Sequence, residues 1–234
     1  MPRRKKDSDT TSTRTPNNSM ALSKIEPLTA TQRLVFDHYD DRKNLMMHGV
    51  AGTGKTFLAM YLALDSVLRK EYRQVIIVRS VVPTRDMGFL PGNQKEKQRV
   101  YEAPYYAIAT ELFGRGDAYE VLKQKNMVDF ISTSFIRGVT LDNCIVIVDE
   151  CQNMTFHELD SVITRLGENC KVLFCGDYRQ TDLLRDVEKA GLKDFMRIID
   201  SMYFFETVEF HEEDIVRSAL VKEYIISKLK AGKT

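Results

Sequence analysis

Five short apolar runs punctuate the chain: Leu45-Met46-Met47, Val75-Ile76-Ile77-Val78, Val128-Asp129-Phe130-Ile131, Cys144-Ile145-Val146-Ile147-Val148 and Val172-Leu173-Phe174-Cys175. Turn signals bound each of them. Several are apolar at nearly every position, as a strand must be when both faces are covered in a parallel sheet. Between them, apolar residues recur at helical spacing over Phe57 to Leu68, Pro104 to Phe113 and Phe156 to Leu166. Another helix is predicted ahead of the first run, opening at Thr29-Ala30-Thr31-Gln32 as a capping box and running through Leu34, Val35, Phe36 and Tyr39. This alternation predicts an α/β fold: a mainly parallel sheet with helices on both faces.

Residues 1–24 break the pattern. They are rich in Ser, Thr, Asn and charge, with Arg3-Arg4-Lys5-Lys6 at the start and almost nothing apolar to bury, so a disordered basic and polar arm is expected there. Residues 25–234 are then read as a single domain. The chain's 234 residues, 43% of them hydrophobic, suffice for one sizeable core. With 34 basic and 33 acidic side chains, overall charge argues neither for nor against a nucleic-acid partner, and any basic surface must be local. Cys144, Cys151, Cys170 and Cys175 form no CxxC pair and the four histidines are scattered, so buried free thiols are expected rather than a zinc site or a disulfide framework. The chain has neither a run of eighteen apolar residues nor the apolar stretch of a signal peptide, so a soluble, cytoplasmic protein is expected.

The chemistry begins at Gly49-Val50-Ala51-Gly52-Thr53-Gly54-Lys55-Thr56, which fits GxxxxGK[ST]. Glycines let backbone N–H groups close around phosphates, and the helix that follows offers its positive end. Lys55 is then expected to reach the β- and γ-phosphates and Thr56 to place its hydroxyl on Mg²⁺. Composition alone would produce the pattern in roughly one chain in a hundred of this length. Here it also sits between a strand candidate and a helix candidate, the setting it needs.

A second element is Asp149-Glu150, at the end of the most apolar run. Ligands of open α/β sheets lie at that edge. Asp149 is placed to hold Mg²⁺, while Glu150 is the candidate to orient and deprotonate the attacking water. Third, Val172 to Cys175 leads into Gly176-Asp177-Tyr178-Arg179-Gln180. Gln180 is a candidate for the γ-phosphate or the attacking water. Asp177 is open between a site role and capping the next helix.

Together these segments resemble the PhoH-like ATPases, whose P-loop domain is related to superfamily-one helicases. The resemblance runs from about Pro27 to Ile226. It is carried by Val78-Arg79-Ser80-Val81 with Gly88-Phe89-Leu90-Pro91-Gly92, by Phe135-Ile136-Arg137-Gly138-Val139-Thr140-Leu141, and by Val148-Asp149-Glu150-Cys151-Gln152-Asn153-Met154-Thr155. Two positions depart from the family pattern: Cys151 stands where Ala is usual and Ser80 where Pro is usual.

The compact length is similar to that of the short bacteriophage members. What the resemblance implies is ATP hydrolysis by a helicase-like core in ring-forming oligomers. It gives Gln32 the role of reading adenine, since an amide both donates and accepts, beside the capping role that the residues themselves allow. It gives Arg217 the role of stabilising charge on the departing γ-phosphate. Because a single core lacks the second domain of a monomeric helicase, Arg217 is expected to come from the neighbour in a closed ring, a hexamer. Arg79 and Arg137 stay open between nucleic-acid phosphate, nucleotide and internal ion pair. Two functions remain in view: a motor on RNA or single-stranded DNA, and a nucleotide-dependent switch or assembly factor acting on a protein.

Overall fold

The computed structural model describes residues 20–80, 94–177 and 186–232, with side chains from 99 and from 191 onward in the second and third of these segments. Among the described residues the strands are β1 (Asn44–Gly49), β2 (Gln74–Arg79), β3 (Val128–Ser132), β4 (Cys144–Asp149), β5 (Lys171–Gly176) and β6 (Phe205–Phe210). They form one sheet in the order β3-β2-β4-β5-β1-β6, and every pairing is parallel. The α-helices are α1 (Ala30–Asp40), α2 (Lys55–Leu68), α3 (Gln94–Phe113), α4 (Ala118–Gln124), α5 (Phe156–Ile163), α6 (Asp186–Asp200) and α7 (Ala219–Lys230).

Strand side chains alternate between faces, and this divides the core in two. Leu45, Met47, Ile77, Ile147 and Leu173 pack with α1 to α4, while Met46, Ile76, Val146, Val148 and Phe174 pack with α5 and α6. The parallel sheet with helices on both faces is therefore as the apolar runs predict. No helix among the described residues is long and apolar enough to cross a membrane.

The differences lie at element ends. The helix predicted to Leu166 stops at Ile163 because the backbone beyond it is drawn to a neighbouring segment: Leu141 N–H donates to Arg165 O and Gly167 N–H to Leu141 O. Thr29 caps α1 by accepting from Gln32 N–H at 3.2 Å. The reciprocal half of the predicted capping box is absent, since the Gln32 side chain turns elsewhere. Residues 1–19 lie outside the described residues. The chain is already packed at Met20, Leu22 and Ile25, and Ser23 N–H donates to Leu112 O, so the packed part begins before the boundary expected after residue 24.

One buried charge sits at the opposite end of the sheet from the loop after β1. Lys171 is 4% exposed, donates to Tyr39 O at 2.8 Å and lies 3.9 Å above the Tyr39 ring. Burial pulls its ammonium down from 10.5 to about 8. Below that value the fold carries the full cost of a buried charge, and the cost disappears as pH rises toward the unfolded-state value. Wild type should therefore gain on Lys171→Met by up to about 3 kcal/mol between pH 7 and pH 10.5. Urea unfolding of the pair across that range measures it; a pH-independent gap would count against the buried charge.

Candidate nucleotide site

The loop from Gly49 to Thr56 joins β1 to α2, and its first glycine is forced twice over. Gly49 has φ +115°, and a Cβ there would run into Phe210 O of β6. The loop is held inside by Val50 N–H donating to Phe210 O and by Thr53 Oγ1 donating to Val50 O, each at 3.0 Å. Lys55 opens α2 and bends back: its Nζ donates to Gly49 O at 2.9 Å, Val50 O at 2.8 Å and Thr53 Oγ1 at 3.4 Å. Burial pushes its pKa down, against the attraction of Asp177 above all. A buried ammonium held by uncharged oxygens is a cation with charge left for an anion.

Asp149 ends β4 as a buried carboxylate satisfied on both oxygens. Thr56 Oγ1 donates to Oδ1 at 2.7 Å and Tyr105 OH, from α3, to Oδ2 at 2.8 Å. Burial first, and then the charge of Glu150, pushes its pKa up, opposed by those two bonds. Mg²⁺ is bound through one or two protein oxygens together with phosphates and waters. A threonine hydroxyl touching a carboxylate beside a phosphate-binding loop fits it.

Glu150 follows in the left-handed region, at φ 51° and ψ 41°, an uncommon conformation for a non-glycine residue and one that recurs at functional sites. Its Oε2 accepts from Gln152 Nε2 at 2.5 Å, while Gln152 Oε1 accepts from Asp177 N–H at 3.0 Å. The glutamine thus fixes the carboxylate against β5. This close approach needs Gly176, where a Cβ would stand 2.6 Å from Cys151 Sγ and 2.8 Å from Gln152 Oε1. Cys151, in the family's alanine position, is accommodated by that missing side chain. Burial raises its thiol pKa, as expected of an inert buried cysteine.

These groups meet on one cavity of about 690 Å³ lined by Lys55, Thr56, Asp149, Glu150, Gln32 and Arg217, among others. Gln32 is 3% exposed and oriented by two bonds, Oε1 accepting from Leu28 N–H at 2.8 Å and Nε2 donating to Thr53 O at 3.0 Å. One amide proton and one lone pair of this side chain are left for a ligand.

Arg217, expected to serve a neighbouring subunit's site, lies instead on its own chain's cavity. Val216 N–H donates to Gly52 O at 3.1 Å, and a Cβ on Gly52 would stand 3.1 Å from Arg217 Cγ. The segment is pinned to the loop by its own backbone.

Of the residues left open, Arg79 lines the cavity, and the charge of its guanidinium acts on Asp149 and on Tyr105. Arg137 is exposed on a different turn. Asp177 is buried on the cavity. Gln180 lies outside the described residues, as does Gly88 to Gly92. The structure adds two positioning residues that the sequence reading does not single out, Tyr105 and Gln152. Gln152 stands in a quoted motif two places after Glu150, whereas nothing local marks Tyr105.

A parallel sheet with a glycine-rich phosphate loop after one strand, and an acid pair after another, defines a P-loop nucleoside-triphosphate protein. The chain belongs to the PhoH family: the model described as PhoH-like protein matches residues 24–228. It is 34% identical over 183 residues to Protein PhoH of Escherichia coli (strain K12), covering 77% of this chain and 51% of that protein. To the PhoH-like protein of Bacillus subtilis (strain 168) it is 34% identical over 190 residues, covering 79% of this chain and 58% of the relative. The chain thus spans just over half the length of these relatives. Among solved structures, the large terminase of a thermophilic bacteriophage is similar with TM-score 0.49 and 12% identity, covering 85% of this chain and 50% of that one. The Pif1 helicase from Candida albicans follows with TM-score 0.38 and 16% identity, covering 81% and 42%.

Proposed function

We propose that this chain hydrolyses ATP with Mg²⁺ in the cavity at Lys55 and uses the cycle to act on RNA or single-stranded DNA. The observation that carries the reading is the convergence of Lys55, the Thr56–Asp149 pair and the Glu150–Gln152 pair on that one cavity. Lys55 exchanges its carbonyl partners for phosphate oxygens. Thr56 and Asp149 hold Mg²⁺, which when bound neutralises charge on the phosphates. Glu150, fixed by Gln152, orients and accepts a proton from the attacking water. Arg217 supplies positive charge from the same chain.

Gln32 supports a preference for adenine, because its orientation leaves one donor and one acceptor for the base edge. Gln32→Ala should raise the Michaelis constant for ATP about tenfold, the cost of one or two net hydrogen bonds, and leave that for GTP nearly unchanged. Equal effects on both nucleotides would leave the residue only its contacts with Leu28 and Thr53.

The reading includes a closed homo-oligomer, a hexamer, in which neighbouring cores move against one another. With Arg217 in cis, the neighbour's part is mechanical rather than chemical. The test is ATP turnover with and without single-stranded RNA, single-stranded DNA and duplex, on protein of measured solution mass. Stimulation by a single strand supports the motor. Stimulation by protein partners alone would replace it with a switch.

A further inference from the structure

Four hydrogen bonds from three segments end on one half-buried carboxylate outside the nucleotide cavity. Glu158 Oε1 accepts from Thr133 Oγ1 at 2.6 Å and from Ser80 Oγ at 3.3 Å. Its Oε2 accepts from Thr155 N–H at 2.8 Å and from Thr155 Oγ1 at 3.0 Å. The Thr155 bonds belong to the capping box of α5. A helix cap has no need of the other two.

Each donor sits next to something functional. Ser80 follows Arg79, which lines the cavity. Thr155 ends the segment that begins at Glu150. Thr133 opens a 3-10 turn, Thr133–Phe135, directly after β3.

The turn beyond Thr133 is anchored by one buried residue and exposed around it. Ile136 is fully buried in the core, yet Phe135 on one side is 59% exposed, Val139 is 40% exposed and Arg137 is exposed. Gly138 has φ +88° and open space around it. An exposed aromatic ring and an exposed arginine two residues apart on one turn suit one unpaired base and its phosphate.

We propose that the turn Phe135–Val139 is a contact surface for a single-stranded polynucleotide, and that Glu158 is the positioning residue tying this turn to the nucleotide cavity. This rests on the functional reading above. A carboxylate bonded at once to the end of β2, the turn after β3 and the loop after Glu150 makes the three move as one. A change in the Glu150 segment on binding nucleotide is thereby passed to the turn.

The experiment is fluorescence anisotropy of a labelled oligo-dT and oligo-U, with and without a non-hydrolysable ATP analogue and Mg²⁺. It uses the full chain as wild type, Phe135→Ala/Arg137→Ala and Thr133→Val. The double variant should lose about tenfold or more in affinity in both states, the size of one lost stacking contact. Thr133→Val leaves the cap intact, so it should melt with wild type and bind the strand as wild type does without nucleotide. It should lose the nucleotide-dependent change in affinity. Strand binding unaffected by the double variant would overturn the surface, and a Thr133→Val protein that responds to nucleotide like wild type would overturn the coupling; both would leave the functional reading standing. A wild type that binds the analogue but neither oligonucleotide would overturn the motor reading and this surface together.

Discussion

Glu150→Gln should keep ATP in the cavity and stop turning it over. The substitution preserves shape and leaves Lys55, Thr56 and Asp149 intact, so nucleotide affinity should stay within a few-fold of wild type. It removes the carboxylate to which the proposed mechanism gives the proton from water, and general-base loss typically costs about 10²- to 10⁴-fold in rate. Gln152 makes the contrast sharper. Its Nε2 donates to Glu150 Oε2 while its Oε1 is held by Asp177 N–H, so the carbonyl oxygen of an introduced amide can take the same bond and only the basic oxygen is lost. Equilibrium binding of a fluorescent ATP analogue, set beside phosphate release, separates the two effects. Wild-type turnover in the glutamine variant would remove Glu150 from the mechanism.

Arg217→Ala is the other large effect, on the order of a 10³-fold fall in turnover if its charge acts on the departing phosphate. Its position in cis gives the prediction a distinctive form. Val216 is bonded to Gly52 and Arg217 lines the same cavity as Lys55, which is the arrangement the proposed mechanism uses. Mixing Arg217→Ala protein with Lys55→Ala protein should therefore recover nothing, because every site keeps one defect whatever the oligomer. Recovered phosphate release on mixing would restore the trans arrangement and show that the arginine changes partners between subunits.

The nucleotide loop is legible in the sequence because its function constrains the backbone: glycines where side chains cannot fit, and Lys55 and Thr56 at fixed steps after them. Four strands are legible as unbroken apolar runs because a covered parallel strand has no polar face to interrupt it, and β3, at one edge of the sheet, is legible despite Asp129 because Val128, Phe130 and Ile131 around it are apolar. β6 escapes for the complementary reason. It pairs only with β1 at the edge of the sheet, and its Phe-Glu-Thr-Val-Glu-Phe mixes polar and apolar residues too evenly to form a run. The full length of α3 is hidden because its first half, from Gln94, carries charge where an apolar stripe would have marked it.

At the site, what escapes is tertiary. Tyr105 lies 44 residues before the aspartate to which it donates, and only folding brings them together. Gln32 reads locally as a capping-box partner, but its amide is drawn to Thr53 O, 21 residues on, once α1 packs against the loop. The expectation that Arg217 comes from a neighbour rests on the size of one core, and the backbone bond that brings its segment to Gly52 leaves no mark in the sequence. Thr155 and Glu158, by contrast, stand at capping-box spacing, a local sign of the start of α5. Their two further bonds, from Ser80 and Thr133, have no such sign.

The most direct test of the central claim is release of inorganic phosphate from ATP by the purified chain, with and without Mg²⁺, alongside Lys55→Ala. Lys55 is a buried cation held against the loop by Gly49 O and Val50 O, and in the proposed mechanism its loss removes charge from both the bound nucleotide and the transition state. The expected result is Mg²⁺-dependent release by wild type and near-complete loss in the alanine variant, with weakened ATP binding. Release that persists in Lys55→Ala at the wild-type rate, or no release by wild type with ATP and Mg²⁺ at saturation, would contradict it.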